Sequence, residues 1–430
     1  AASELVVRGQ ADRRIVSGGH DPASTRTAAT TDDDPRRWRM LALLSGAMLL
    51  SLSAWMTATA VGPELQLRWG LTDGQVGLLT TVVQLGFVVG TAMGAVLNLA
   101  DVLPSRTYFA VSALLGAVAN AALLIVPGYR TALLARFLTG AFLAGAYPPG
   151  MKMVATWFRS ARGFAIGALV GALTVGKALP YLLKAIGGTS SAVVIGGASI
   201  GGIVAALLVG STYHDGPFSF PSRPFEWSRV GRILGDRRTM LVTGGYLGHM
   251  WELYAMWTWV PAFLAVAAAG TVGSATVDLV AFGAIAAGGL GCVWGGAAAD
   301  RFGRHGVVNL AMAMSGVCCL LVGLSLGAPF WVVALLTWVW GFFVVADSAQ
   351  FSALLTEVAP PDSVGTALML QTSLGFLLTM VTIQAVPALV AAVEWRWAFA
   401  FLALGPAVGI GSIRRLVVVQ RLHSAPHRSS

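Results

Sequence analysis

The sequence predicts an all-α polytopic membrane protein with twelve transmembrane helices in two six-helix halves, and three observations carry that expectation. Of 430 residues, 56% are hydrophobic and only 11% are charged, against about 25% charged in soluble domains. Together with a mean hydropathy of +0.74, this leaves too little charge to build a water-facing shell. Apolar runs of the length that crosses a bilayer, about 20 residues, recur along the chain between short polar breaks. The longest internal break then divides these runs six and six.

Residues 1–38 are polar and irregular, with Asp32, Asp33 and Asp34 followed by Arg36 and Arg37, and are expected to form a disordered cytoplasmic tail. Apolar runs follow at 40–62, 75–99, 107–127, 131–157, 163–187, 190–211, 239–266, 274–298, 307–327, 330–356, 364–388 and 397–413. Hydrophobic periodicity and run length read these as helices. The organisation is therefore an N-terminal half over 39–212, a cytoplasmic central loop over 213–236, a C-terminal half over 237–418 and a cytoplasmic tail over 419–430. Within the central loop, Phe225, Trp227, Val230 and Ile233 alternate with Arg229 and Arg232. That pattern fits either a helix lying on the membrane surface or a solvated linker.

Cys292, Cys318 and Cys319 lie inside apolar runs with no metal-ligand or disulfide spacing. No metal or cofactor is expected, and no set of nucleophile, base and orienter points to an enzyme. The net charge of +9 does not point to nucleic acid, because Lys and Arg sit singly at the ends of apolar runs. It points to topology. With the N-terminus inside, 21 of the 28 basic residues fall on the cytoplasmic side and only Arg68, Arg130 and Arg396 fall in outer loops. By the positive-inside rule both termini face the cytoplasm.

The break before residue 307 reads Gly296-Ala-Ala-Ala-Asp300-Arg301-Phe-Gly303-Arg304, which resembles the G-x-x-x-D-R-x-G-R loop of the major facilitator superfamily. The corresponding first-half loop, aligned on Asp101, has Leu97, Pro104 and Ser105 in place of Gly296, Gly303 and Arg304, and its basic residue is Arg106. The two aspartates stand 199 residues apart and Gly140 stands 201 before Gly341, which reads as an internal repeat. The resemblance extends over 39–418, with an overall similarity to the bacterial cyanate-permease-like members. It implies alternating access, with Asp101, Arg106, Gly296, Asp300, Arg301, Gly303 and Arg304 as a conformational latch. A simple basic loop obeying the charge rule is the alternative reading.

Ionisable side chains inside apolar runs are costly and so mark candidate function. They fall in runs four (Arg136, Lys152), five (Lys177, Lys184), seven (Glu252), eight (Asp278) and ten (Asp347). The resemblance implies that these helices line a central cavity. Lys177, Tyr181 and Lys184 share one helical face, offering two cations and a hydroxyl to an anion, although Lys184 also suits snorkelling to the outer interface. Arg136 and Tyr147 share a stripe with Gly140, while Pro148-Pro149 breaks the helix before Lys152. Trp340 and Asp347 share a stripe on run ten. The substrate-binding set is therefore Lys152, Lys177, Tyr181, Arg136, Tyr147 and Trp340, and the proton-coupling set is Glu252, His249 and Asp347. A fixed ion pair of Glu252 with Lys152 or Lys177 is the competing reading.

The sequence thus predicts a secondary transporter, monomeric and embedded in the lipid bilayer of a bacterial inner membrane, which moves a small-molecule anion with protons. Proton-driven efflux of a hydrophobic or cationic compound is the second reading. A receptor or assembly factor that has lost transport is a third.

Overall fold

The computed structural model describes residues 34–97, 99–159, 161–187, 190–218, 226–360 and 362–424, and among these no strand occurs. Helices are what an apolar chain must form in lipid, because each closes its own backbone hydrogen bonds. In chain order they are α1 (Arg36–Leu52), α2 (Thr57–Ala60), α3 (Gly62–Trp69), α4 (Asp73–Val96), α5 (Leu99–Val102), α6 (Ser105–Ala121), α7 (Tyr129–Leu143), α8 (Tyr147–Ala155) and α9 (Arg162–Gly187). There follow α10 (Ser191–Thr212), α11 (Trp227–Gly235), α12 (Arg237–Ala268), α13 (Ser274–Phe302), α14 (Arg304–Val322), α15 (Phe330–Ala346), α16 (Ser348–Val358), α17 (Val364–Ala398) and α18 (Leu404–Ser424). The expected tail lies outside the described residues up to position 33, as does 219–225 of the expected central loop.

Eight helical stretches among the described residues are long and apolar enough to cross a membrane. The difference from the twelve expected has local causes. Run 40–62 stops at Leu52 and restarts at Thr57, and run 131–157 stops at Leu143 and restarts at Tyr147, ahead of Pro148 and Pro149. Helix α12 is continuous over 32 residues, but His249, Glu252 and its Trp and Tyr residues lower its hydropathy. The last stretch, Val364–Leu422, holds two expected runs, separated where Glu394 takes φ 59°.

Helices α1, α4, α6, α7, α9 and α10 pack among themselves, as do α12 to α18, and the two groups meet chiefly where α9 lies on α13 and α4 on α17. The repeated glycines explain two of the tightest crossings. A Cβ on Gly140 would stand 1.9 Å from the Val83 carbonyl oxygen of α4, and one on Gly341 would stand 1.6 Å from the Ala284 oxygen of α13. Only glycine lets these backbones approach.

The α11 segment is helical and is tied to the protein. Ile233 is buried with Val242, Val308 and Phe351, Arg232 lies 3.1 Å from Asp362, and the Glu226 backbone N–H donates to Thr366 Oγ1 at 3.1 Å. Trp227 remains exposed.

Candidate functional site

A cavity of about 110 Å³ opens between the two helix groups, lined by residues of α1, α4, α8, α9, α12, α15, α16 and α17 and by the α1–α2 turn. Its floor is aromatic. The α1–α2 turn places Trp55 5.1 Å from Phe87 of α4, 5.7 Å from Phe376 of α17 and 5.9 Å from Tyr254 of α12, centroid to centroid.

Lys177 of α9 enters this cluster. It is 3% exposed, donates to the Tyr254 hydroxyl, and holds its ammonium 4.2 Å from the Trp55 ring centroid, 4.7 Å from Tyr254 and 5.2 Å from Trp257. It makes no ion pair with a described carboxylate. Ring faces attract a desolvated cation, so the sequence can bury this lysine without a counter-charge. The indole N–H groups of Trp55 and Trp257, both of which line the cavity, have no hydrogen-bond partner. The site therefore holds one buried lysine amine and two unsatisfied indole donors within a ring of aromatic surface.

Another wall is polar. His249 of α12 sets Nδ1 2.8 Å from Asp347 Oδ1, an ion-pair distance at an angle that leaves Oδ1 without a formed hydrogen bond. Its Nε2 lies 2.8 Å from Ser348 Oγ. The ring is flanked by Tyr246 and Phe351 at 6.0 and 5.6 Å. His249, Ser348, Ser352 and Thr372 all face the cavity. Asp347 reaches the site because α15 ends at Ala346 and α16 starts at Ser348, which turns the intervening residue toward α12.

Of the expected substrate-binding residues, Lys177 and Tyr147 line the cavity and the others stand off it. Arg136 is fully buried and bridges neighbouring segments. It donates to the Ala54 oxygen at 2.9 Å, to Asn120 Oδ1 at 3.0 Å and to the Trp55 oxygen. Those carbonyls are ones the α1–α2 break has released, so the guanidinium completes the backbone there. Tyr181 is buried with its hydroxyl unpartnered. Lys152 is partly buried in α8, and Lys184 pairs with Asp278 at 3.5 Å.

Trp340 and Glu252 form a separate buried cluster off the cavity. Glu252 accepts from Ser315 Oγ at 3.0 Å, from Cys319 Sγ at 3.1 Å and from Trp340 Nε1. Its partners are these neutral donors, with no ion pair to Lys152 or Lys177 among the described residues.

At the expected latch, Gly303 takes φ +82°, a left-handed conformation that suits glycine and turns α13 tightly into α14. Arg304 then reaches Glu357 Oε1 at 2.7 Å and Gln350 Oε1 at 2.9 Å on α16. Gly296 has room for a Cβ, and Arg301 covers Phe302 at 5.3 Å. Asp300 is exposed and makes no ion pair with a described residue. In the first half Arg106 is exposed at the start of α6, and Asp101 falls in α5 with its side chain outside the described set.

The residues that sequence reasoning missed are Trp55, Tyr254, Trp257 and Ser348. Spacing does not single out the aromatic three, and only their convergence on Lys177 from two helix groups distinguishes them. The signal for Ser348 was its place directly after Asp347.

No curated protein matches the chain. Among solved structures, the fold is similar to that of a mutant form of the nucleoside transporter NupG, with a TM-score of 0.68 and 13% identity over 88% of this chain and 99% of that one. The sequence profile of the Major Facilitator Superfamily matches residues 43–377. Helical stretches able to span a membrane, a cavity between two helix groups and this match over most of the length agree: the chain belongs to the major facilitator superfamily.

Proposed function

We propose that this protein carries a small organic anion across a bacterial inner membrane by alternating access between two six-helix halves. The observation that carries the anion reading is Lys177, a buried basic residue at the cavity with no carboxylate partner among the described residues. The orphan indole N–H groups of Trp55 and Trp257 support it, since buried donors are costly when unmet. Size also bears on the solute. An engineered apolar cavity of about 150 Å³ accommodates benzene, so a cavity of about 110 Å³ suits a solute of only a few heavy atoms. A nucleoside, the substrate class named for the structural neighbour, is far larger. A cationic solute is disfavoured by Lys177 itself.

In this reading Tyr147, Trp55, Tyr254 and Trp257 surround the solute with Lys177, and His249 with Asp347 couples its movement to protons. The halves are those that meet at α9–α13 and α4–α17, and the α13–α14 turn latches one access state. The protein acts as a monomer with both termini in the cytoplasm. Uptake into proteoliposomes under an imposed pH gradient tests the reading, with propionate, uridine and tetraphenylphosphonium as solutes. Saturable uptake of propionate alone is expected, and Lys177→Gln should reduce its affinity at least tenfold, the loss expected for a charge-assisted contact of about 1.5–3 kcal/mol. Uptake of the cation alone favours the efflux reading, and flux of no solute favours a receptor.

A further inference from the structure

His249 has a polar neighbour at each nitrogen: Nδ1 stands 2.8 Å from Asp347 Oδ1 without a formed hydrogen bond, and Nε2 meets the hydroxyl of Ser348 at 2.8 Å. Ser348 and His249 both line the cavity. A neutral imidazole with its proton on Nδ1 can only accept at Nε2, so Ser348 must donate to it, leaving only oxygen lone pairs for the cavity. An imidazolium has donors at both nitrogens. Nε2–H would then donate to Ser348 Oγ, and the Ser348 proton would be free to turn into the cavity.

We propose that Asp347, His249 and Ser348 form a proton-controlled hydrogen-bond donor, a reading that rests on the anion assignment of Lys177. Uptake of one proton from water at Nε2 reverses the His249–Ser348 bond, and Ser348 changes from an acceptor that repels an anion to a donor that binds it. Asp347 supplies the counter-charge for the imidazolium, which explains why a buried carboxylate is set against the ring with Oδ1 unbonded. The anion and the proton then enter the site together. Ser348 is the specificity-determining contact at this wall, and His249 and Asp347 are positioning residues that act through it.

The ionisable groups facing this triad come from every packed element. Helix α9 brings Lys177 and α8 brings Tyr147 across the cavity, while α12 itself carries Tyr246, Glu252 and Tyr254. Cys292 of α13 is near enough to Asp347 to feel its charge, and α14 contributes Cys319 beside Glu252. Helix α17 presents Thr372 and Phe376, and Arg414 and Arg415 of α18 are exposed.

The test is binding of propionate and methanesulfonate to the purified full-length protein, followed by thermal shift and calorimetry across a pH series in which both anions stay charged. In the wild type, affinity should rise by roughly tenfold toward the acid end, the gain expected from one charge-assisted hydrogen bond. Ser348→Ala and His249→Gln should each hold affinity at its alkaline value throughout, while Glu252→Gln keeps the pH response. Should His249→Gln fail to fold, Ser348→Ala alone decides, because it removes only one hydroxyl. Retention of the wild-type pH response by Ser348→Ala, with Lys177→Gln weakening binding, overturns the relay but leaves the anion site standing. Absence of binding of either anion to the wild type overturns the anion assignment and the relay with it.

Discussion

Arg136 and Lys177 are both cations buried almost completely, and their surroundings assign them different work. The guanidinium of Arg136 fits the Ala54 and Trp55 carbonyls and Asn120, which itself donates to Ser199 Oγ at 3.0 Å, so one side chain joins α7, the α1–α2 turn, α6 and α10. Removing it leaves buried acceptors unmet, at about 1–3 kcal/mol each. Arg136→Gln should therefore lower the melting temperature, while protein that still folds discriminates among solutes as before. A change in solute preference without loss of stability would return Arg136 to the binding site. Lys177 and Glu252 should behave independently. Their partners differ, so the stability effects of Lys177→Gln and Glu252→Gln are expected to add, and strong non-additivity in a double-mutant cycle would reveal a pair. From sequence alone Arg136 and Lys177 fell in one substrate-binding set, because spacing shows a shared helical face but not which neighbours supply carbonyls, rings or donors.

At the scale of elements, positions were more legible than continuity. Apolar runs located the helices, but breaks at Leu52, Leu143 and Ala346 depend on how Arg136, Pro148-Pro149 and Asp347 are met by other helices. The G-x-x-x-D-R-x-G-R loop gave the α13–α14 turn directly, since a left-handed residue there demands Gly303. Gly303→Leu should strain the turn by about 1 kcal/mol or more and disturb the Arg304 contacts with α16, changing transport rate while membrane insertion persists. Unchanged kinetics in Gly303→Leu and Asp300→Asn would reduce the loop to a topogenic signal. The α11 clasp has its own pH dependence. A hydrogen bond from Ser363, aided by Arg229 and Arg232, holds the Asp362 carboxyl below its ordinary range. A depressed carboxylate contributes its stability above its unfolded pKa and loses it as pH falls through the folded value. The clasp should thus persist through neutral and mildly acid conditions and open only in stronger acid. Hydrogen exchange in α11 that rises already near neutral pH would contradict this.

At the scale of the molecule, two groups of helices pack among themselves, but the cavity was not readable because its walls come from eight helices far apart in sequence. Gly171 and Gly289 show how closely the groups meet, since a Cβ on Gly171 would lie 2.9 Å from the Gly289 oxygen. Gly171→Leu should hold α9 and α13 apart and slow transport more than it weakens solute binding, a split visible by comparing turnover with equilibrium affinity. Accessibility tags within the central loop and at both termini should all label from the cytoplasm, and periplasmic labelling at any of them would invert the orientation. The central claim is that Lys177 is the anion's counter-charge. Its most direct test is saturable propionate uptake into proteoliposomes containing the wild type or Lys177→Gln, both confirmed as folded. The account predicts uptake by the wild type and at least tenfold weaker apparent affinity in the variant, and equal uptake by the two proteins would contradict it.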